Sequence, residues 1–263
     1  MIYVIYQIIR LYLFLYLAPI FNFFMNKNKV QNIYANFMNN LCSTLDNINI
    51  NDRIKINNYH KIDNNVWNLI ISNHNSIFDD IILSKLFIDN DIKWLDIRTV
   101  SKKSRINLQN YALNIFDMFL VNRKLKEDTN TLNKISYRWR REHKPLQIIL
   151  FPEGTTFNRR KLSKESSEFL KNNSIREYKN LLFPFSGIFN LLISKFFLEI
   201  KNIYDLTIIY KLKDKRLIGE YEILFNLSNP NLEIIINLDR YENKNIDELW
   251  LYKLWEKKDA LLI

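Results

Sequence analysis

The stretch Leu69-Ile70-Ile71-Ser72-Asn73-His74-Asn75-Ser76-Ile77-Phe78-Asp79-Asp80 runs from apolar residues through a polar turn to two carboxylates. Its first residues, with Val66 before them, read as a buried β-strand ending at Ser72. Ile77 to Ile88, apolar at 77, 78, 81, 82 and 86, reads as a helix. Ser76 and Asp79 stand at capping-box spacing, which starts that helix at Ser76. Asp79 therefore has two readings, as a helix-cap acid or as the partner of His74. Within one continuous helix, five residues of separation would turn the two side chains about 140° apart. With His74 in the strand-to-helix turn, the carboxylate can fold back onto an imidazole nitrogen, fix its tautomer and raise its basicity. The chain has three histidines, and His60 and His143 are read as structural.

Outward from this stretch, strand-like and helix-like segments alternate. Leu95–Val100, Met118–Val121 and Gln147–Phe151 read as strands, and so do Leu206–Leu212, Tyr221–Leu227 and Leu232–Leu238. Arg105–Ile115, Asp128–Glu142 and Ile246–Leu262 read as helices. This alternation predicts an α/β fold, a mostly parallel twisted sheet covered by helices on both faces. Ligands of such sheets bind outside the carboxyl ends of strands. Two polar segments stand at such ends: Asn73-His74, and Pro152-Glu153-Gly154-Thr155 after the Gln147–Phe151 strand. Pro152 stops that strand, and Gly154 lets the backbone approach a ligand closely.

The N-terminus has a different character. Met1 to Met25 is apolar and aromatic with one charge, Arg10, and about 20 apolar residues suffice to cross a bilayer. Val30, Ile33, Tyr34, Phe37, Met38, Leu41 and Leu45 then repeat at three and four, marking an amphipathic helix. Together they predict a membrane-docking helical hairpin over residues 1–48, with a transmembrane, re-entrant or interfacial first helix, ahead of a catalytic domain over 49–263. Lys27 and Lys29 favour the cytosolic side for the main body. The net charge of +10 fits nucleic acid, an anionic membrane or an anionic substrate. No basic-plus-stacking motif supports nucleic acid, so no nucleic-acid partner is expected. Cys42 is the only cysteine, which excludes an intramolecular disulfide and a cysteine-based zinc site.

The order Asn73-His74-x-x-x-x-Asp79, then Phe151-Pro152-Glu153-Gly154-Thr155, resembles the glycerolipid acyltransferase family that includes lysophosphatidate acyltransferases. Phe119-Leu120-Val121-Asn122-Arg123 looks like the family's middle block, and Leu181-Leu182-Phe183-Pro184 like its fourth. Tyr204-Asp205-Leu206-Thr207-Ile208 and Trp250-Leu251-x-x-Leu254-Trp255-x-x-Lys258-Asp259 extend the likeness to the eukaryotic lysocardiolipin and lysophosphatidylinositol acyltransferase branch.

The resemblance implies transfer of a fatty acyl group from acyl-CoA to the free hydroxyl of a lysophospholipid at a membrane. It implies the endoplasmic reticulum, with the catalytic domain on the cytosolic side. His74 would be general base and Asp79 its orienting acid. Asn73, Arg123, Glu153, Gly154, Thr155 and Lys102 would bind substrate, with Lys103 as a further phosphate contact. Backbone donors near His74 or Gly154 would hold the oxyanion. No metal and no cofactor beyond the co-substrate acyl-CoA are implied. A CoA-independent transacylase and a silent protein of the same fold are the alternatives, and no oligomeric state is indicated. Thr156 and Phe185 stand where the family carries arginines, and Asp117 where it carries glycine.

Overall fold

The computed structural model describes residues 2–47, 49–157 and 163–262. Met1, and Ile48 at the expected domain boundary, lie outside them. In chain order the elements are α1 (Ile2–Phe24), α2 (Lys27–Asn47), β1 (Ile54–Asn57), β2 (Trp67–Ser72), α3 (Phe78–Asp89), β3 (Ile97–Lys102), α4 (Asn107–Ile115), β4 (Phe119–Val121), α5 (Leu125–Arg141) and β5 (Gln147–Leu150). There follow α6 (Lys164–Asn172), α7 (Ser186–Lys195), β6 (Ile200–Leu212), β7 (Lys215–Arg216), α8 (Glu220–Asn226), β8 (Leu232–Glu242) and α9 (Trp250–Leu261). The chain divides into two units: residues 1–52, 61–69 and 80–150, and residues 53–60, 70–79 and 151–263.

In the first unit the strand order is β2, β5, β3, β4, and β3 pairs in parallel with both β5 and β4. α1 and α2 belong to this unit. Phe14, Ala18 and Val30 bury against Ala112, Ile115 and Phe116 of the α4 corner. Burying one such large apolar side chain contributes about 1.5–3 kcal/mol, enough to fix both helices there. The expectation of a transmembrane helix is corrected: no described helix is long and apolar enough to cross a membrane. α1 is interrupted by Gln7, Arg10, Pro19 and Asn22, and Gln7 is itself buried. Asp117 takes φ 55°, a left-handed conformation that glycine adopts freely and aspartate tolerates. Its carboxylate pairs with Lys27 of α2, accepts from Gln31 and lies 3.6 Å from Arg138. The residue that departs from the family pattern thus ties α2 to the α4–β4 corner.

In the second unit the order is β1, β8, β6, β2, with β7 appended to β6. β1 and β8 are parallel, while β6 runs antiparallel to β8 and β7. The β-structure is mostly parallel, as expected, with these antiparallel pairs around β6. Tyr221–Leu227, expected as a strand, is helix α8. Gly219 at φ 84° precedes it, and the Glu222 carboxylate reaches back to accept from the Ile218 N–H, tying the entering chain to the first turn. Tyr221 and Phe225 are exposed while Ile223 and Leu227 are buried. Each pair is four apart, so the apparent alternation is two faces of a helix. β1, α6 and β7 were not anticipated.

Candidate active site

β2 buries Leu69, Ile70 and Ile71 completely and delivers the chain to a turn at Asn73. The Asn73 amide accepts from the Ile208 N–H at 2.8 Å and donates to the Ile208 carbonyl at 2.9 Å. The Asn75 amide donates to that same carbonyl, also at 2.9 Å. Two side chains therefore strap the turn onto β6. Asn73, read as a substrate-binding residue, has no solvent exposure and both ends of its amide bonded to Ile208.

The two readings of Asp79 are both realised in one buried carboxylate. Ser76 Oγ accepts from the Phe78 N–H at 3.1 Å, and Asp79 Oδ2 accepts from the Ser76 N–H at 2.9 Å, completing a reciprocal cap. The same Oδ2 accepts from the Asn75 N–H and lies 3.1 Å from His74 Nδ1, while Oδ1 accepts from the Tyr210 hydroxyl at 2.9 Å. An ionised carboxylate only accepts, so this contact places the imidazole proton on Nδ1 and the lone pair on Nε2. The His74 ring stacks on Phe151, centroids 4.2 Å apart, and its side chain retains 17% exposure. The His74 carbonyl accepts from the Phe157 N–H at 2.6 Å, joining the histidine turn to the Glu-Gly-Thr turn.

In that second turn Gly154 has φ 65°, where a side chain would be strained. Its N–H donates to the Phe151 carbonyl at 2.9 Å. With the Asn75 and Ser76 N–H groups given to Asp79, these backbone donors are already spent. An oxyanion site in this geometry would have to draw on other N–H groups of the two turns. Thr155 is exposed beside Gly154. Glu153 is buried, and neither carboxyl oxygen has a hydrogen-bond partner among the described residues. Burial pushes its pKa well above the usual carboxylate range; Lys258 and Arg216 oppose the rise and Asp79 adds to it. The Trp255 indole N–H is near enough to favour the charged form of Glu153, yet the two stop short of hydrogen-bond geometry.

A third layer closes the unit. The fully buried Lys258 Nζ lies 2.6 Å from Asp205 Oδ1 and donates to the Leu206 carbonyl and the Thr207 hydroxyl. Burial lowers the Lys258 pKa against the pull of Asp205. Asp259 Oδ1 accepts from the N–H groups of Lys179 and Asn180. Arg216 Nη2 donates at 3.2 Å both to Asn75 Oδ1 and to the Asn180 carbonyl, with the guanidinium 5.5 Å from the Phe157 ring centre.

Asn73, His74, Asp79, Glu153, Gly154 and Thr155 thus belong to one unit. Lys102 and Arg123 belong to the other, each exposed at the end of a strand. Arg123 follows β4 with φ 63°, and the N–H groups on either side of it donate to Asp128. The residues not anticipated are Asn75, Tyr210 and Arg216. For Tyr210 a signal existed: a tyrosine inside a fully buried strand needs a partner for its hydroxyl. Among the described residues no group of three His, Cys, Asp or Glu side chains is placed to hold a metal ion.

The Acyltransferase family model matches residues 53–211, more than half of the sequence, and the chain belongs to that family. Its relatives are glycerolipid acyltransferases. Lysocardiolipin acyltransferase 1 of Mus musculus is 25% identical over 161 residues, 58% of this chain and 41% of that protein. The 2-acyl-1-lysophosphatidylinositol acyltransferase of Saccharomyces cerevisiae is 32% identical over 136 residues, 46% of this chain and 33% of that protein. A probable 1-acyl-sn-glycerol-3-phosphate acyltransferase of Arabidopsis thaliana is 27% identical over 205 residues, 74% of this chain and 52% of that protein. The chain spans about half or less of the length of these relatives.

Proposed function

We propose that this chain is a membrane-bound lysophospholipid acyltransferase that takes its acyl group from acyl-CoA, with His74 as general base and Asp79 as the acid that orients it. The observation carrying this reading is the 3.1 Å contact between His74 Nδ1 and a carboxylate with no solvent exposure. His74 Nε2 removes the proton from the acceptor hydroxyl as its oxygen attacks the thioester carbonyl. The C–O bond forms, the tetrahedral adduct collapses, the C–S bond breaks, and the imidazolium returns its proton to the leaving CoA thiolate. Asp79 stabilises the imidazolium that exists between the two transfers. Coenzyme A thiolate is a good leaving group, so the step needs neither metal nor covalent enzyme intermediate. Glu153, Gly154 and Thr155 are proposed to shape the glycerol side of the acceptor site, and Arg123, Lys102 and Lys103 are proposed as phosphate ligands on the sequence resemblance alone.

Membrane attachment is assigned to the outer face of α1. Tyr6, Ile9, Leu13, Tyr16, Ile20 and Phe23 recur at three and four and are all exposed. A continuous apolar stripe of that kind suits a helix lying in the bilayer interface. The endoplasmic reticulum, with the catalytic domain facing the cytosol, is the proposed membrane, as the resemblance to the eukaryotic lysocardiolipin and lysophosphatidylinositol acyltransferase branch implies.

Membranes carrying the full chain, offered a panel of lysophospholipids with labelled acyl-CoA, test the reading. Incorporation that His74→Ala abolishes is the expected result and names the acceptor. Equal incorporation by wild type and His74→Ala would overturn it. Transfer that needs a phospholipid donor and ignores acyl-CoA would reassign the chain as a transacylase.

A further inference from the structure

At the end of α7 the chain turns sharply into β6. The Phe196 N–H donates to the Leu192 carbonyl, and the N–H groups of Glu199 and Ile200 return to the Phe196 carbonyl. Phe196 and Ile200 are buried, whereas Phe197 and Leu198 between them are 53% and 77% exposed. Their exposure is built in: the buried Asn243 amide donates to the Phe197 and Ile200 carbonyls, and Lys201 Nζ donates to the Leu198 carbonyl. A rigid turn that presents two bulky apolar side chains to water holds them at a hydration cost that a hydrophobic partner would remove.

Beside this tip is a shallow cavity lined by Phe197, Leu198, Lys201, Arg240, Glu242 and Lys244, among others. Its charged lining is three cations and one anion, and Lys201, Arg240 and Lys244 are exposed. Glu242 is paired with Lys244, and the Arg240 guanidinium is steadied by two hydrogen bonds to Asn202 Oδ1 at 3.0 and 2.8 Å. The flanking Lys195 and Glu199 offset each other in charge. Apolar side chains ringed by cations match an acyl layer beneath an anionic head-group layer, and they do not match a purely apolar protein groove.

We infer that the Phe197–Leu198 tip is a membrane-insertion point in the second unit, with Lys201, Arg240 and Lys244 engaging phosphates of anionic phospholipids. The inference deepens the proposed membrane function and is separate from the apolar stripe of α1. Each cation near an anionic leaflet contributes about 1 kcal/mol. Reversing all three therefore lowers partitioning onto anionic vesicles by about 100-fold or more.

The test uses the full chain with Leu198→Cys carrying an environment-sensitive fluorophore and vesicles of phosphatidylcholine with or without phosphatidylglycerol. Emission should rise and shift to the blue on vesicles containing phosphatidylglycerol. Lys201→Glu/Arg240→Glu/Lys244→Glu should abolish the dependence on phosphatidylglycerol while the chain stays folded at the assay temperature, with a melt lowered by the lost bonds to Leu198, Asn202 and Glu242. Unchanged emission on vesicles that nonetheless sediment the protein would overturn the inference, as would undiminished phosphatidylglycerol dependence in the triple variant. Acyl transfer to a detergent-dispersed acceptor should survive the triple variant. The tip can therefore fail while the acyltransferase reading stands, and an inactive chain whose tip inserts would sink only the latter.

Discussion

Replacing Asp79 by asparagine separates its two duties. In the native site Oδ2 receives the His74, Asn75 and Ser76 donors and Oδ1 receives the Tyr210 hydroxyl. An asparagine with its amide oxygen at the Oδ2 position keeps three acceptor contacts, and its amide nitrogen donates to a Tyr210 hydroxyl that rotates to accept. Shape and hydrogen-bond count survive while the charge is lost. Charge-assisted bonds are roughly twice as strong as neutral ones, so Asp79→Asn costs stability of about 1–3 kcal/mol in all. That lowers the melting temperature by about 3–10 °C and leaves the chain folded. Without the carboxylate, the imidazolium formed during transfer lacks its counter-charge, and kcat falls by about 10²–10⁴-fold, the range of general-base catalysis. The KM for acyl-CoA stays within a few-fold. Alanine is the wrong probe: it strands the Asn75 and Ser76 N–H groups and the Tyr210 hydroxyl, at about 1–3 kcal/mol each. The assay is labelled acyl transfer in detergent beside a thermal melt. A folded Asp79→Asn chain within about tenfold of wild-type kcat would refute the dyad and leave Asp79 as a helix cap only.

Tyr210→Phe keeps the buried ring and removes one donor to Asp79; kcat should fall about 3–30-fold at constant KM, and an unchanged kcat would show that the hydroxyl does not position the acid. Glu153 holds its proton by burial, so its stabilising contribution is full below the ordinary glutamate range near pH 4.3 and drains away as pH rises toward its raised folded value. Glu153→Gln has no proton to lose, and its melting temperature relative to wild type should climb between pH 5 and pH 8; a constant difference would contradict a protonated Glu153. Burial pushes the Cys42 thiol up to about 12, so iodoacetamide at pH 8 should label it only after unfolding. Rapid native labelling would mean that the inner face of α2 opens readily.

The parts of this fold legible in the sequence are those whose periodicity is set by burial on fixed faces. β2 and β5 are short apolar runs covered on both sides, and the expected bounds of each differ from the observed ones by one residue. α8 mimics a strand because Tyr221, Ile223 and Phe225 alternate as a strand would, while the buried pair Ile223 and Leu227 obeys helical spacing. The length of α1 invited a membrane span, but its inward face is occupied by α2 and α4, so apolar content measured two kinds of burial at once. Local spacing also made the His74–Asp79 pair legible, because a capping box fixes where the helix begins and hence which way Asp79 points.

What the local pattern could not reveal is the role of β6. Alternate residues of a strand face opposite sides. Asp205 and Thr207 hold Lys258 of α9 from one face, whereas Tyr210 reaches Asp79 from the other. Between them the Ile208 backbone receives Asn73 and Asn75. Asp259, next to Lys258, fixes the Lys179–Asn180 backbone, and Arg216 links the Asn180 carbonyl back to Asn75. The contacts close a circuit through residues more than 100 positions from the histidine. A buried lysine is costly unless it is paired, and here its partners lie on the strand that carries Tyr210. The Trp-rich C-terminal block therefore need not touch substrate to matter. Loss of Lys258 would strand Asp205 and loosen β6, and through Ile208 and Tyr210 the disturbance would reach His74.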